Sequence, residues 1–232
     1  MGLPADVVFL FDVDNTLLDN DAVQRDLSQL LEREFGPATR DRYWAIFDAL
    51  RSEFGYADYL GSLQRYRFEN PAEARLPQVS EFLLDYPFAS RLYPGALAAL
   101  AQLQRLGPTV ILSDGDVVMQ PRKIRRAGLW DAVAGRVLIF IHKERMLDTV
   151  ERCFPARHYV LVDDKLRILT TVKQHWGARV TGVFPRQGHY AHDASEIAAN
   201  PPADVSIDGI GELAEFDINR FGFASAAVVA HE

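Results

Sequence analysis

Apolar residues in this chain follow two patterns that change over at identifiable positions. Val7 to Phe11 are five consecutive large apolar residues, the pattern of a strand covered on both faces, as in a parallel sheet. From about Asp21 to Leu92 the spacing is helical throughout. Val23, Leu27, Leu30, Leu31 and Phe35 share one helix face and are stopped by Gly36-Pro37. Tyr43, Trp44, Phe47 and Leu50 mark a second helix from about Ala38 to Phe54. Tyr59, Leu63 and Tyr66 suggest a third, and Val79, Phe82 and Leu83 a fourth that Pro87 closes. After Tyr93-Pro94-Gly95, short apolar runs alternate with helical segments. Strands are expected at Thr109 to Leu112, Val137 to Ile141, Tyr159 to Val162 and Arg179 to Phe184, with a short last one at Asp204 to Ile207. Helices are expected at Ala96 to Leu106, Val117 to Ala127, Glu144 to Cys153, Leu166 to Trp176 and near Gly211 to Phe216.

Strands alternating with helices of this length predict an α/β fold with a doubly wound parallel sheet. With strands one to three winding one way and four and five winding back, the order is 3-2-1-4-5. The block after the first strand is too long for a loop and reads as an all-helical subdomain over the sheet. The expected division is therefore a core of residues 1–19 and 91–232 with a helical cap of residues 20–90.

Composition narrows the function. The 232 residues are 48% hydrophobic and 25% charged, as in an ordinary globular protein. A formal net charge of -7 argues against wholesale binding to nucleic acid or an anionic membrane, and no apolar run is long enough to span a bilayer. The single Cys153 rules out an internal disulfide, and Met1 to Asp6 shows no leader pattern, so a cytoplasmic protein is expected.

Four of the strands run directly into polar residues: Asp12-Val13-Asp14-Asn15-Thr16, Ser113-Asp114-Gly115, His142-Lys143 and Asp163-Asp164-Lys165. All four clusters lie at carboxyl ends of strands, which in an open parallel sheet form one rim. Ligands bind there at the point where strand order reverses. That point lies between strand one, with Asp12 and Asp14, and strand four, with Asp163 and Asp164. Four carboxylates in one crevice demand a counter-charge, and an oxygen-only ligand set points to magnesium rather than zinc.

In the order and placement of these motifs the chain resembles the haloacid dehalogenase superfamily, in its phosphatase branch with a helical cap inserted after the first motif. The motifs are Asp12-Val13-Asp14-Asn15-Thr16, Ser113, Lys143 and Asp163-Asp164. The resemblance covers nearly the whole chain. It implies that Asp12 is a nucleophile forming an aspartyl-phosphate, and that Asp14 protonates the leaving oxygen and later deprotonates water. It further implies that Ser113, with the amides of Asp114 and Gly115, holds the phosphoryl oxygens, and that Lys143 neutralises charge between them and the nucleophile. Mg2+ would be held by Asp12, the backbone carbonyl of Asp14, Asp163 and Asp164. Family members often carry proline after the lysine, where this chain has Glu144, and they more often separate the last two acids. Lys165 is the competing lysine, expected to pair with Asp164 or face water.

Other candidates read as structural. Thr16 braces its loop and Asp116 caps a helix. His189 and His192 lack a third ligand and are expected to be solvated or capping. The basic stretch Arg122-Lys123-Arg125-Arg126 reads as a solvated face. Tyr43, Trp44, Phe47 and Tyr66 are expected to be mostly core, and the apolar tail from Phe221 to pack on the core or fray. In the family, dehalogenases tend to carry an aromatic residue where this chain has Asp14, because a halide leaves without a proton. Hydrolysis of a small phosphorylated metabolite by a monomer or homodimer is thus the leading expectation. A phosphomutase or a haloacid dehalogenase are the alternatives on the same fold. A non-enzymatic phospho-acceptor or scaffold fits less well, since nucleophile and acid are both present.

Overall fold

The structure is a computed structural model and describes residues 4–221. Six parallel strands form one sheet in the order β3-β2-β1-β4-β5-β6. They are β1 (Ala5–Phe11), β2 (Thr109–Asp114), β3 (Val137–Phe140), β4 (Ala156–Val162), β5 (Val180–Pro185) and β6 (Val205–Ile207). The expected order holds, and the short last strand extends it at the β5 edge. The helices α1 (Asn20–Phe35), α2 (Pro37–Phe54), α3 (Tyr59–Glu69) and α4 (Leu76–Asp85) are inserted between β1 and β2. Further along lie α5 (Ala96–Leu103), α6 (Met119–Arg126), α7 (Leu129–Ala132), α8 (Leu147–Cys153), α9 (Leu166–Trp176) and α10 (Ala194–Ala199).

Strand periodicity decides what each face meets, because successive side chains point to opposite sides. Val7, Phe9, Phe11 and Val13 join one apolar cluster that runs without a break into the insertion through Leu17, Leu18, Val23, Leu27, Tyr43 and Phe47. Val8 and Leu10 face the other way, onto Leu147 and Val150 of α8 and Leu169 and Val172 of α9. Tyr43, Phe47 and Tyr66 are core, and Trp44 is partly buried against it.

The insertion leaves and re-enters the sheet through two adjacent segments. The Asp19 amide donates to the Arg91 carbonyl at 2.8 Å, and the Tyr93 amide to Leu17 at 3.0 Å. The Asp19 carboxylate caps α1 by accepting from the Ala22 amide at 2.8 Å, and Asp58 caps α3 through the Gly61 amide at 2.7 Å. These caps satisfy amides that a helix start leaves without partners.

Several boundaries differ from the expectation. The segment after β3 opens with a 3-10 turn, Lys143–Arg145, and α8 starts only at Leu147. Ile210–Ala214 is a 3-10 turn rather than a helix. The tail beyond Phe221 lies outside the described residues, but Phe221 itself is buried against Phe9 and Phe216, with ring centroids 6.0 Å and 4.8 Å away. No helix among the described residues is long and apolar enough to cross a membrane.

Candidate active site

Sheet register brings the polar clusters together. Phe11 pairs with Val162 on one side and Ile111 on the other, so Asp12 emerges beside Asp163 and next to the end of β2. The Asp12 amide still donates to the Val162 carbonyl at 3.0 Å, which holds the acid against the sheet. Oxygens of Asp12, Asp163 and Asp164 lie within 4.8 Å of one another. All three residues are buried, at 3%, 0% and 1% exposure.

Lys143 arrives from the far side of β2 and is itself buried. Its ammonium donates to Asp12 Oδ1 and lies 2.6 Å from Asp163 Oδ2, an ion pair without hydrogen-bond alignment. Burial opposes the charge on Lys143, but the carboxylates of Asp12, Asp163 and Asp114 outweigh it and raise its pKa. Burial raises Asp163 and pushes Asp164 well above the usual carboxylate range. Lys165 is raised too: burial lowers it, and Asp164, Asp12 and Asp163 more than reverse that. Its ammonium stands 5.1 Å from the Tyr190 ring centre, and its backbone amide donates to Asp163 Oδ1 at 2.9 Å.

Even with Lys143 in place the acids are under-served. Asp12 Oδ2 and both carboxylate oxygens of Asp164 are buried and find no hydrogen-bond partner among the described residues. A buried carboxylate without donors is strongly destabilising, and a hard dication bound by oxygens removes that penalty. The donor set therefore fits magnesium, with Asp12, Asp163 and Asp164 as the side chains that would hold it.

The Asp14 carboxylate is not part of this group. It turns toward α6, where Oδ1 accepts from Lys123 Nζ at 2.7 Å and Oδ2 from Gln120 Nε2 at 3.4 Å. Its side chain is 23% exposed, against 4% for Asp12. The basic stretch is thus not wholly a solvated face: Lys123 is 1% exposed. It lies on the same stripe as Met119, Gln120, Ile124 and Ala127, all buried, and that helical spacing is the signal that could have revealed it. Arg122 and Arg126 instead reach Asp85, its side chain and backbone respectively, at 2.7 Å.

Ser113 is buried at the end of β2, where its Oγ accepts from Gln120 Nε2 at 2.9 Å. The neighbouring Gly115 amide is already committed, donating to the Phe140 carbonyl at 2.9 Å. Asp114 turns its carboxylate to the Lys143 amide, which donates to it at 2.7 Å. Burial pushes Asp114 up to about 6, with Lys143 pulling the other way. Asp116 caps the start of α6 through the Val118 and Met119 amides.

Further contacts tie the loops to one another. Thr16 Oγ1 accepts from the Asp164 amide at 3.1 Å, joining the first and last motifs. Gln187 Nε2 donates to the Thr16 carbonyl at 2.5 Å, while its Oε1 accepts from the Ile210 amide at 3.0 Å. Beside it, the His189 amide and Nδ1 engage the Asp21 carboxylate at 2.9 and 2.7 Å. Burial would raise Asp21, but hydrogen bonds from His189 and Asn15 bring it below the usual value. His189 is therefore a partner of α1 at the entry to the insertion.

With this geometry in hand, comparison with known proteins defines the class. The family model of haloacid dehalogenase-like hydrolases matches residues 7–174. The chain belongs to that family and is a hydrolase of its α/β fold. A crystal structure described as a haloacid dehalogenase-like hydrolase from Burkholderia xenovorans is 67% identical, with a TM-score of 0.89, over 92% of this chain and all of that one. The HAD-hydrolase YfnB of Bacillus subtilis, bound to magnesium, is 20% identical with a TM-score of 0.62, covering 91% of this chain and 98% of its own. L-2-haloacid dehalogenase from Xanthobacter autotrophicus, with chloropropionic acid covalently bound, is 19% identical with a TM-score of 0.57, covering 91% and 97%. The last two establish likeness of fold alone. No curated protein matches the chain.

Proposed function

We propose that this hydrolase is a magnesium-dependent phosphatase of small phosphorylated metabolites in the cytoplasm, with the helices of residues 20–90 acting as a cap. The observation that carries this reading is the set of buried Asp12 and Asp164 oxygens without donors among the described residues. Such a set suits a dication, which a phosphate dianion needs more than a haloacid does. Asp14 adds to it, because a carboxylate at the mouth of the site serves an alkoxide leaving group and has no task when a halide leaves.

Magnesium, when bound, would offset the charge of the phosphoryl group as it nears Asp12. Asp12 attacks phosphorus while Lys143 holds its Oδ1 and keeps the carboxylate oriented. The P–O bond to the leaving group breaks, and Asp14 gives that oxygen a proton. Water then attacks the aspartyl-phosphate, with Asp14 taking the proton back, and phosphate departs. Ser113 supplies a hydroxyl to the phosphoryl oxygens, and Asp114 positions Lys143 through its backbone. The cap would exclude bulk water and contact the leaving alcohol.

The test is a substrate screen with p-nitrophenyl phosphate and a panel of phosphorylated metabolites, with and without magnesium, and chloroacetate as control. Magnesium-dependent phosphate release is expected. Halide release without phosphate release would overturn the reading.

A further inference from the structure

Helix α6 carries two side chains one turn apart that between them engage both oxygens of Asp14. Lys123 Nζ donates to Oδ1 at 2.7 Å, and Gln120 Nε2 reaches Oδ2 at 3.4 Å while donating to Ser113 Oγ at 2.9 Å. We propose that Lys123 and Gln120 are positioning residues that orient Asp14 for proton transfer, and that Lys123 couples this orientation to the helical insertion. The proposal rests on the phosphatase reading, in which Asp14 is the acid.

Donor chemistry makes the assignment. An ammonium has only donors, so Oδ1 beside Lys123 is committed as an acceptor. Oδ2, whose one contact among the described residues is the long 3.4 Å approach of Gln120, is the oxygen that can hand a proton onward, and it lies on the Ser113 side, where the phosphoryl group would lie. Gln120 works in the same direction on Ser113. Its amide donates to Oγ, and the serine O–H makes only a long 3.3 Å contact to the Asp114 carbonyl among the described residues, which a phosphoryl oxygen would replace. In the transfer itself, the leaving oxygen keeps the electron pair of the broken P–O bond. It takes the proton from Asp14 Oδ2, and the carboxylate recovers one from the attacking water.

Lys123 is not explained by packing. At 1% exposure it occupies a place on the buried stripe of α6 where methionine would fill the same volume without a charge to desolvate. Its second partner lies in the insertion: Nζ donates to Asn20 Oδ1 at 3.1 Å at the start of α1. Asn20 Nδ2 in turn donates to the Tyr59 hydroxyl of α3 at 3.0 Å, and Gln24 Nε2 donates to the same hydroxyl at 2.9 Å. One buried chain of hydrogen bonds thus runs from the candidate acid through α6 to two helices of the insertion. How the insertion docks sets where Lys123 stands, and Lys123 sets where Asp14 points.

The test separates orientation of an acid from support of the fold. Wild type and Lys123→Met are compared on phosphomonoesters whose leaving groups run from p-nitrophenol through phenol to simple alcohols. A basic leaving group needs the proton most, so the loss in kcat/KM should grow along the series. The loss on alkyl esters is expected to exceed that on p-nitrophenyl phosphate by about 10²-fold, the usual worth of general acid catalysis. An equal loss on every ester would overturn the role proposed for Lys123 while leaving the phosphatase reading intact. A wild type inert on every ester would instead overturn the phosphatase reading, and the proposal with it. Thermal melting checks the fold, and should Lys123→Met not fold, Lys123→Gln is read by the same criteria.

Discussion

Lys143 Nζ stands 2.6 Å from Asp163 Oδ2 and also donates to Asp12, so one buried ammonium is shared between two buried carboxylates. Asp164 lies behind them, and neither of its oxygens has a donor among the described residues. The lysine organises this centre but leaves a surplus of negative charge.

Magnesium is expected to stabilise the protein, and more so at neutral than at acid pH. Asp163 and Asp164 have folded pKa values raised above their ordinary 3.8. Their contribution to stability is complete below the unfolded value and is lost as pH rises through the folded ones. The metal-free protein should therefore weaken toward neutrality. Magnesium at 100 times its dissociation constant should return about 2.7 kcal/mol, or roughly 5–10 °C in Tm. Melting curves at pH 5 and 7.5, with and without magnesium, check this; a larger shift at pH 5 would contradict it.

Replacing Asp12 by Asn removes the nucleophile while keeping its size. Phosphate release should fall by roughly 10³-fold or more, with Tm no lower than that of the metal-free wild type. Single-turnover phosphate assays and a melting curve measure both.

Asp114→Asn should act through pH. The wild-type carboxyl titrates at about 6 in the folded protein against 3.8, so burial destabilises its charged form at neutral pH. Asparagine keeps an acceptor for the Lys143 amide and carries no charge. Variant and wild type should be about equally stable at pH 4, and the variant should gain about 2–3 kcal/mol by pH 7.5. Denaturant melts across that range decide it, and a constant difference between the two proteins would refute the assignment.

Gly188 sits where the loop after β5 meets the first motif. Its φ is +74°, and a Cβ there would fall 2.4 Å from the Asn15 Cβ. Gly188→Ala should cost about 1–3 kcal/mol and lower turnover by displacing the loop that carries Asp12 and Asp14. Tm and kcat measured together test this, since a fall in Tm alone would separate the loop from the site.

Much of the architecture was legible because it depends on local periodicity. Five apolar residues in a row make a strand buried on both faces, and helical spacing from Val23 to Leu83 makes a helical insertion. Both properties are read within a few residues. The acids were legible for the same reason, since Asp12 and Asp163 each follow directly on such a strand and register then places them side by side. The chemistry of α6 was obscured by four basic residues in five positions, which outweighed the buried stripe beneath them.

By itself, the sequence determined the parallel sheet, its winding order and the gathering of Asp12, Ser113, Lys143, Asp163 and Asp164 at one rim. Strand alternation and apolar runs carry that information within each segment. Tertiary structure alone decided that Asp14 turns away from the other acids to meet Lys123, 109 positions along the chain. It also decided that the Gly115 amide is spent on the sheet, that His189 closes on Asp21, and that β6 joins the edge. These are pairings of single polar groups across the fold. A buried donor takes whichever acceptor the packing brings within reach, and no local pattern records which one that is.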